Sequence, residues 1–201
     1  MTGDPFRKNV AGPLSSNRAV AVRELSDEVL VLRWQRGDLA AASVAIQRYE
    51  RLVYGAALRV LGNAHLAEDV TQEAFLRAHQ AIKSLREPAA LPGWLKRISV
   101  RQAIDQLRKV RPSSLEDEDP ADWRPGPAAL AETADTLERF RHALSALPEP
   151  LRLAVTLRDV EGFSTSAAAE ALGISDAAVK MRLSRGRREL RALLTPGEGA
   201  R

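Results

Sequence analysis

Four residues in the last third of the chain, Leu172-Gly173-Ile174-Ser175, constrain the fold more than any other feature. They separate two helical patterns. Before them, an Ala-rich stretch follows Ser164, a hydroxyl residue suited to capping a helix N-terminus. After them, Val179, Leu183, Gly186 and Leu190 recur at i, i+4, i+7 and i+11, a narrow inward stripe. Gly173 fits a tight turn between two helices, and Ser175 can cap the second. The outward arc of the second helix holds Ala177, Met181, Ser184, Arg185 and Arg188, flanked by Lys180 and Arg182. Small and basic residues over an apolar stripe suit a helix lying in the major groove of DNA. A solvated basic face would carry the same charge. The turn and the short helix before it are what favour DNA binding.

No segment shows sustained alternation with β-branched residues, so the chain is expected to be all-α. The pattern predicts two small helical domains joined by a flexible acidic linker, the second a helix-turn-helix domain. Residues 1–25 mix Gly, Pro, Ser and Asn and read as a disordered tail. A first domain over 26–110 starts at Ser26-Asp27-Glu28 and is broken at Gly37-Asp38, Gly62-Asn63 and Glu87–Gly93. Residues 111–135 carry four prolines and an acidic run, as a flexible linker would. Trp123 is the one residue there that could anchor to a partner. A second domain follows over 136–194, broken by Pro148 and Pro150 before Leu151–Val160, with a tail over 195–201.

Charge follows the same division. Residues 1–25, 26–110, 111–135 and 136–201 carry net charges of +2, +4, −5 and +3. Basic blocks attract phosphate, and the acidic spacer between them would be repelled by it. The chain has no Cys, and His65, His79 and His142 lie too far apart in sequence for metal-ligand spacing. No metal or cofactor is expected. No nucleophile–base pair or phosphate-cradling Gly loop is present, so no enzyme is expected. There is no apolar run of membrane length and no signal-peptide pattern, so the default is a cytoplasmic protein with no membrane insertion.

Two further constellations carry function. In the stretch 66–82, Val70, Thr71, Ala74, Ala78 and Ile82 can face a core. Asp69, Gln72, Glu73, Leu76 and Gln80 form a separate arc, acidic and amide-rich around a leucine. Such an arc is a poor DNA surface and a plausible protein-docking patch, or an ordinary solvated face. In the stretch 94–110, Trp94, Arg97, Arg101, Asp105 and Arg108 fall along one face, opposite Val100, Ala103, Ile104 and Leu107. An indole beside three guanidinium groups can stack unpaired bases and neutralise phosphates. The alternative is a structural Trp beside a surface pair of Arg101 with Asp105. The loop Leu85–Gly93 ahead of it is a candidate wall for a pocket holding an extruded base.

Together AEDVTQEAFLRA, WLKRISVRQAIDQLRK and the terminal helix-turn-helix, in this order, resemble the bacterial extracytoplasmic-function (ECF) RNA polymerase sigma factors. The resemblance covers about residues 26–110 and 136–194. It implies a first block, sigma domain two, that grips the polymerase clamp and opens the minus-ten promoter element. It implies a second, sigma domain four, that reads the minus-thirty-five element, with the tether threading into polymerase channels. By position, Asp69, Gln72, Glu73 and Leu76 fall on the clamp-binding helix. Trp94, Arg97, Arg101, Asp105 and Arg108 fall on the promoter-opening helix. Lys180, Met181, Arg182, Ser184, Arg185 and Arg188 fall on the recognition helix. The implied partners are core RNA polymerase, promoter DNA and an anti-sigma factor.

The chain departs from the family pattern at several points. Arg101 replaces a usual Asn, and Leu85 and Leu91 replace Phe. Ala167 replaces an acidic residue, and Ala178-Val179-Lys180-Met181-Arg182 replaces T-V-K-S-R. The loss of two hydroxyls leaves the preferred DNA sequence open. Rival readings are a stand-alone helix-turn-helix regulator, which would bind duplex DNA without polymerase, and an all-helical adaptor for acidic proteins.

Overall fold

A computed structural model describes residues 25–110 and 136–195. The expected N-terminal tail apart from Leu25, the acidic linker with Trp123, and the end of the C-terminal tail lie outside the described residues. Among the described residues the chain is helical, without a strand. The helices are α1 (Asp27–Gln35), α2 (Leu39–Leu61), α3 (Ala64–Ala81), α4 (Leu91–Val110), α5 (Thr136–Ser145), α6 (Glu149–Val155), α7 (Thr165–Leu172) and α8 (Asp176–Leu194).

Short polar side chains set the starts of most of these helices. Ser26, Asp38, Asn63, Ser164 and Ser175 each accept a hydrogen bond from a backbone N–H of the first turn that has no partner within the helix. Glycine sets two of the ends. Gly62 and Gly173 take left-handed φ values of 62° and 65° after α2 and α7, where a side chain would be strained. The expected breaks at Gly37-Asp38 and Gly62-Asn63 fall between helices. The break at Glu87–Gly93 is shorter than expected. A 3₁₀ turn covers Pro88–Ala90, and α4 begins at Leu91 rather than Trp94. Pro92 then lies in the first turn of α4, where a missing N–H costs nothing.

In the N-terminal block, α2, α3 and α4 pack on one another and α1 lies across α2. Trp34, Val53, Phe75, Leu91 and Leu95 are buried in one cluster. The few buried polar groups are satisfied. The Trp34 indole donates to His79 Nδ1 at 2.9 Å, and Ser99 Oγ donates to the Val53 carbonyl at 2.8 Å. Gln35 donates to the carbonyls of Ile82 and Leu85 at 3.1 and 2.9 Å, tying the end of α3 to α1.

In the C-terminal block, α8 crosses α6 at close range. A Cβ added to Gly186 would lie 2.7 Å from Val155 Cγ2 and 3.2 Å from the Leu151 carbonyl oxygen. The glycine in the inward stripe is therefore where the two helices come nearest. Past Val155, α6 continues into a π-helical turn, Thr156–Val160. The wider turn lets Leu157 stay fully buried while Asp159 reaches outward to Arg187.

The two blocks share apolar packing. One cluster of buried residues includes Val60, Ile104 and Leu107 from the first block and Leu153, Leu157, Phe163 and Leu172 from the second. The sequence reading, two compact units on a tether, did not include this seam.

Candidate docking and nucleic-acid faces

Three polar faces rise from this frame. The first lies on α3. Val70, Thr71, Ala74, Ala78 and Ile82 are buried, as their spacing predicts. That orientation turns Asp69, Gln72, Glu73 and Gln80 to solvent. Leu76 stays 38% exposed among them, an apolar anchor inside a polar ring. Glu73 also accepts from Arg77 Nε at 2.9 Å, so one acid of the arc is already paired. The sequence reading omitted Arg77. Its signal was the i,i+4 spacing from Glu73.

The second face lies on α4. Val100, Ala103, Ile104 and Leu107 are buried, which orients the opposite row outward. Arg97, Arg101 and Asp105 are exposed, and Trp94 and Arg108 are half-buried. Trp94 packs along the edge of the first block's core. A groove of about 800 Å³ runs between α3 and α4, with Asp69, Glu73 and Arg77 on one wall and Asp105, Arg108 and Lys109 on the other. The α3 arc and the lower half of the α4 row therefore border one groove.

Two details of the α4 reading are corrected. Arg101 does not pair with Asp105. Its Nη2 sits 2.6 Å from Glu170 Oε1 on α7, while Asp105 faces Arg108 at 3.6 Å. A partner distant in sequence lies across the seam, beyond the reach of helix spacing rules. Leu85 and Leu91 are 7% and 0% exposed and point into the core. They do not line an open pocket, because the early start of α4 turns Leu91 inward.

The third face lies on α8. Val179, Leu183, Gly186 and Leu190 are buried as expected. Lys180, Met181, Ser184 and Arg188 are exposed, Met181 to 46%. Arg185 is half-buried. Arg182 is corrected: it is only 5% exposed and lies on the inner stripe, not on an outer flank. It follows Val179 by three residues and precedes Gly186 by four, which is the inward periodicity, and its aliphatic stem allows it to be buried. A groove of about 540 Å³ along α8 is lined by Lys180, Ser184, Arg187, Arg188 and Arg191. Arg187 and Arg191 were absent from the sequence reading. Arg187 is held by a two-point bridge to Asp159, at 2.9 and 2.5 Å.

The seam itself is charged. Glu161, its side chain 1% exposed, lies 2.5 Å from Arg59 Nε and 3.4 Å from Lys96 Nζ. Arg152 of α6 donates to the carbonyls of Arg59 and Val60 at 3.4 and 3.2 Å. Arg108 donates to the Ala171 carbonyl at 3.1 Å, beside the turn at Gly173. Among the described residues no group of His, Cys, Asp and Glu could hold a metal, and no helix is long and apolar enough to cross a membrane.

Among the described residues, an all-helical arrangement with a basic row on a packed core helix and a helix-turn-helix is one that DNA-recognition proteins use. Residues 45–112 match Sigma-70 region 2 and residues 137–190 match Sigma-70 region 4. The chain is 33% identical over 183 residues to the RNA polymerase sigma-H factor of Pseudomonas aeruginosa, covering 85% of this chain and 94% of that one. It is 36% identical over 174 residues to the ECF RNA polymerase sigma factor SigM of Mycobacterium tuberculosis, covering 85% and 86%. The sigma factor RpoE of Bartonella quintana, solved in complex with the anti-sigma factor NepR, is similar in structure. It has a TM-score of 0.50 and 26% identity, covering 74% of this chain and 93% of that one. The chain belongs to the ECF RNA polymerase sigma factors, promoter-specificity subunits of bacterial RNA polymerase.

Proposed function

We propose that the chain is a dissociable sigma subunit whose two blocks make separate contacts with core polymerase and promoter DNA. Residues 26–110 act as sigma domain two and 136–194 as sigma domain four. The α3 arc of Asp69, Gln72, Glu73 and Leu76 docks on core polymerase. The α4 row takes the unpaired strand of the minus-ten element, with Trp94 as a stacking surface, Arg97, Arg101 and Arg108 as phosphate partners and Asp105 orienting Arg108. On α8, Lys180, Met181, Ser184, Arg185 and Arg188 face the minus-thirty-five element, with Arg182 supporting the helix from beneath. The Bartonella relative's complex supports an anti-sigma factor as a further partner. The chain acts by binding energy rather than by covalent catalysis, in the cytoplasm, where polymerase and chromosome are.

The observation that carries this reading is the shared groove. The acidic arc of α3 and the basic row of α4 border one another, so a partner held by the first delivers DNA to the second. The test is transcription in vitro with bacterial core polymerase on a promoter library. Specific starts should need the chain, and reversing charge at Asp69 and Glu73 should weaken holoenzyme assembly. Sequence-specific duplex binding by the chain alone, with no gain from core, would support a stand-alone regulator instead.

A further inference from the structure

We infer that Met181 reads a thymine. Its side chain closes on the 5-methyl group of one thymine in the duplex that α8 enters, and this contact sets which upstream element the chain prefers. The inference rests on the reading of α8 as the minus-thirty-five face and adds the base that this face selects.

Ala177, Met181, Ser184 and Arg188 recur at i, i+4, i+7 and i+11 and are all exposed. The buried stripe of Val179, Leu183, Gly186 and Leu190 holds the opposite side, so this outer line is what α8 presents to a groove. By helical angle, Lys180 falls on one flank of the line and Arg185 on the other. A helix seated in the major groove meets base edges with the N-terminal half of its outer line. Cations on its flanks lie toward the phosphate walls. Lys180 and Arg185 suit the walls. Met181 takes the base edges, because Ala177 one turn earlier is too short to compete.

What Met181 can recognise follows from what it lacks. A thioether has no donor and is only a weak acceptor. Set against the amino group of adenine or cytosine, or the keto oxygen of guanine, it would displace water and leave that group without a partner. The 5-methyl of thymine is the apolar group that base pairs show in the major groove. Met181 is the large apolar side chain that α8 leaves open to solvent, at 46% exposure. Closing on a methyl takes both apolar groups out of water. Its unbranched, polarisable chain can follow a methyl that is offset from the helix axis.

The test uses holoenzyme assembled from the full chain and bacterial core polymerase. The probe is the promoter duplex that this holoenzyme binds best from a library with a randomised upstream element. Each thymine of the selected element, on either strand, is replaced in turn by deoxyuridine, which keeps the base pair and removes only the methyl. Wild-type holoenzyme should bind about fourfold more weakly after replacement at one position, the effect of losing one buried methyl. Met181→Ala holoenzyme should bind the thymine duplex more weakly by a similar factor and show no further loss with uracil there. Met181→Leu, which keeps the apolar reach, should keep the uracil loss and so excludes a folding defect. A selected element without thymine, a uracil loss that persists in Met181→Ala, or no loss at any position overturns the inference. Scrambling the upstream element separates this from the wider reading. If scrambling leaves wild-type binding unchanged, α8 is not the minus-thirty-five face and both readings fall. If scrambling weakens binding and uracil does not, only the thymine assignment falls.

Discussion

The basic rows on α4 and α8 look alike in sequence and are placed very differently. Each runs along one side of a helix whose other side is apolar. On α8, Lys180, Met181, Ser184 and Arg188 meet solvent, with Arg188 paired at 3.0 Å only to its neighbour in sequence, Glu189. On α4, Arg101 and Arg108 are held by α7. Counting arginines on a helical wheel gives the chemistry of a face. It does not give its availability, which depends on what the rest of the chain lays over it.

The largest expected effect comes from breaking the packing that places α7 over α4. Leu157 is fully buried in the shared cluster. Leu157→Ala should cost about 2–5 kcal/mol, read as a lower midpoint in denaturant. No loss in stability would mean that the seam is not part of the folded core. Next is the seat of α8. With 2.7 Å between an added Cβ and Val155, Gly186→Ala should cost about 1–3 kcal/mol. It should also weaken DNA contacts on α8 while sparing those on α4. Thermal melts and binding to duplex and single-stranded probes separate the two.

Trp94→Ala should lose about 1–3 kcal/mol of binding to an opened promoter. The loss in transcription should be greater on a duplex promoter than on one with a pre-melted bubble, with permanganate footprinting of unpaired thymines as the readout. Equal losses on both would make Trp94 a packing residue only. The smallest effect draws the comparison most sharply. Arg188→Ala should lower the salt slope of DNA binding by about one unit in free chain and holoenzyme alike. Arg101→Ala should lower it only in the holoenzyme, because Glu170 holds Arg101 in the free chain. Identical behaviour of the two would erase the distinction between the rows.

Much of this architecture is legible in the sequence because its causes are local. Ser26, Ser164 and Ser175 cap within three residues of themselves, Gly173 turns on its own φ, and the stripe on α8 follows from helical period alone. Those signals, with three ordered motifs, also gave the family. The seam was not legible. Glu170 finds Arg101 across 69 positions, and Glu161 is one acid among many until its burial is seen. Arg182 misled because arginine is read by its charge, whereas here its stem follows the inward period. The loop Leu85–Gly93, with its two prolines, reads as longer than it is, while α4 starts early enough to draw Leu91 into the core.

The pair formed by Trp34 and His79 has an optical consequence. Trp34 is sealed at 1% exposure and hydrogen-bonded to an imidazole, so its emission should be blue-shifted and shielded from iodide. Trp94, half-buried at the edge of the α4 row, is open to quencher and to bases alike. In a Trp123→Phe background, which removes the third tryptophan of the chain, one chromophore thus reports whether the first block is folded and the other whether its DNA face is occupied, so a single quenching titration distinguishes a damaged protein from a covered one.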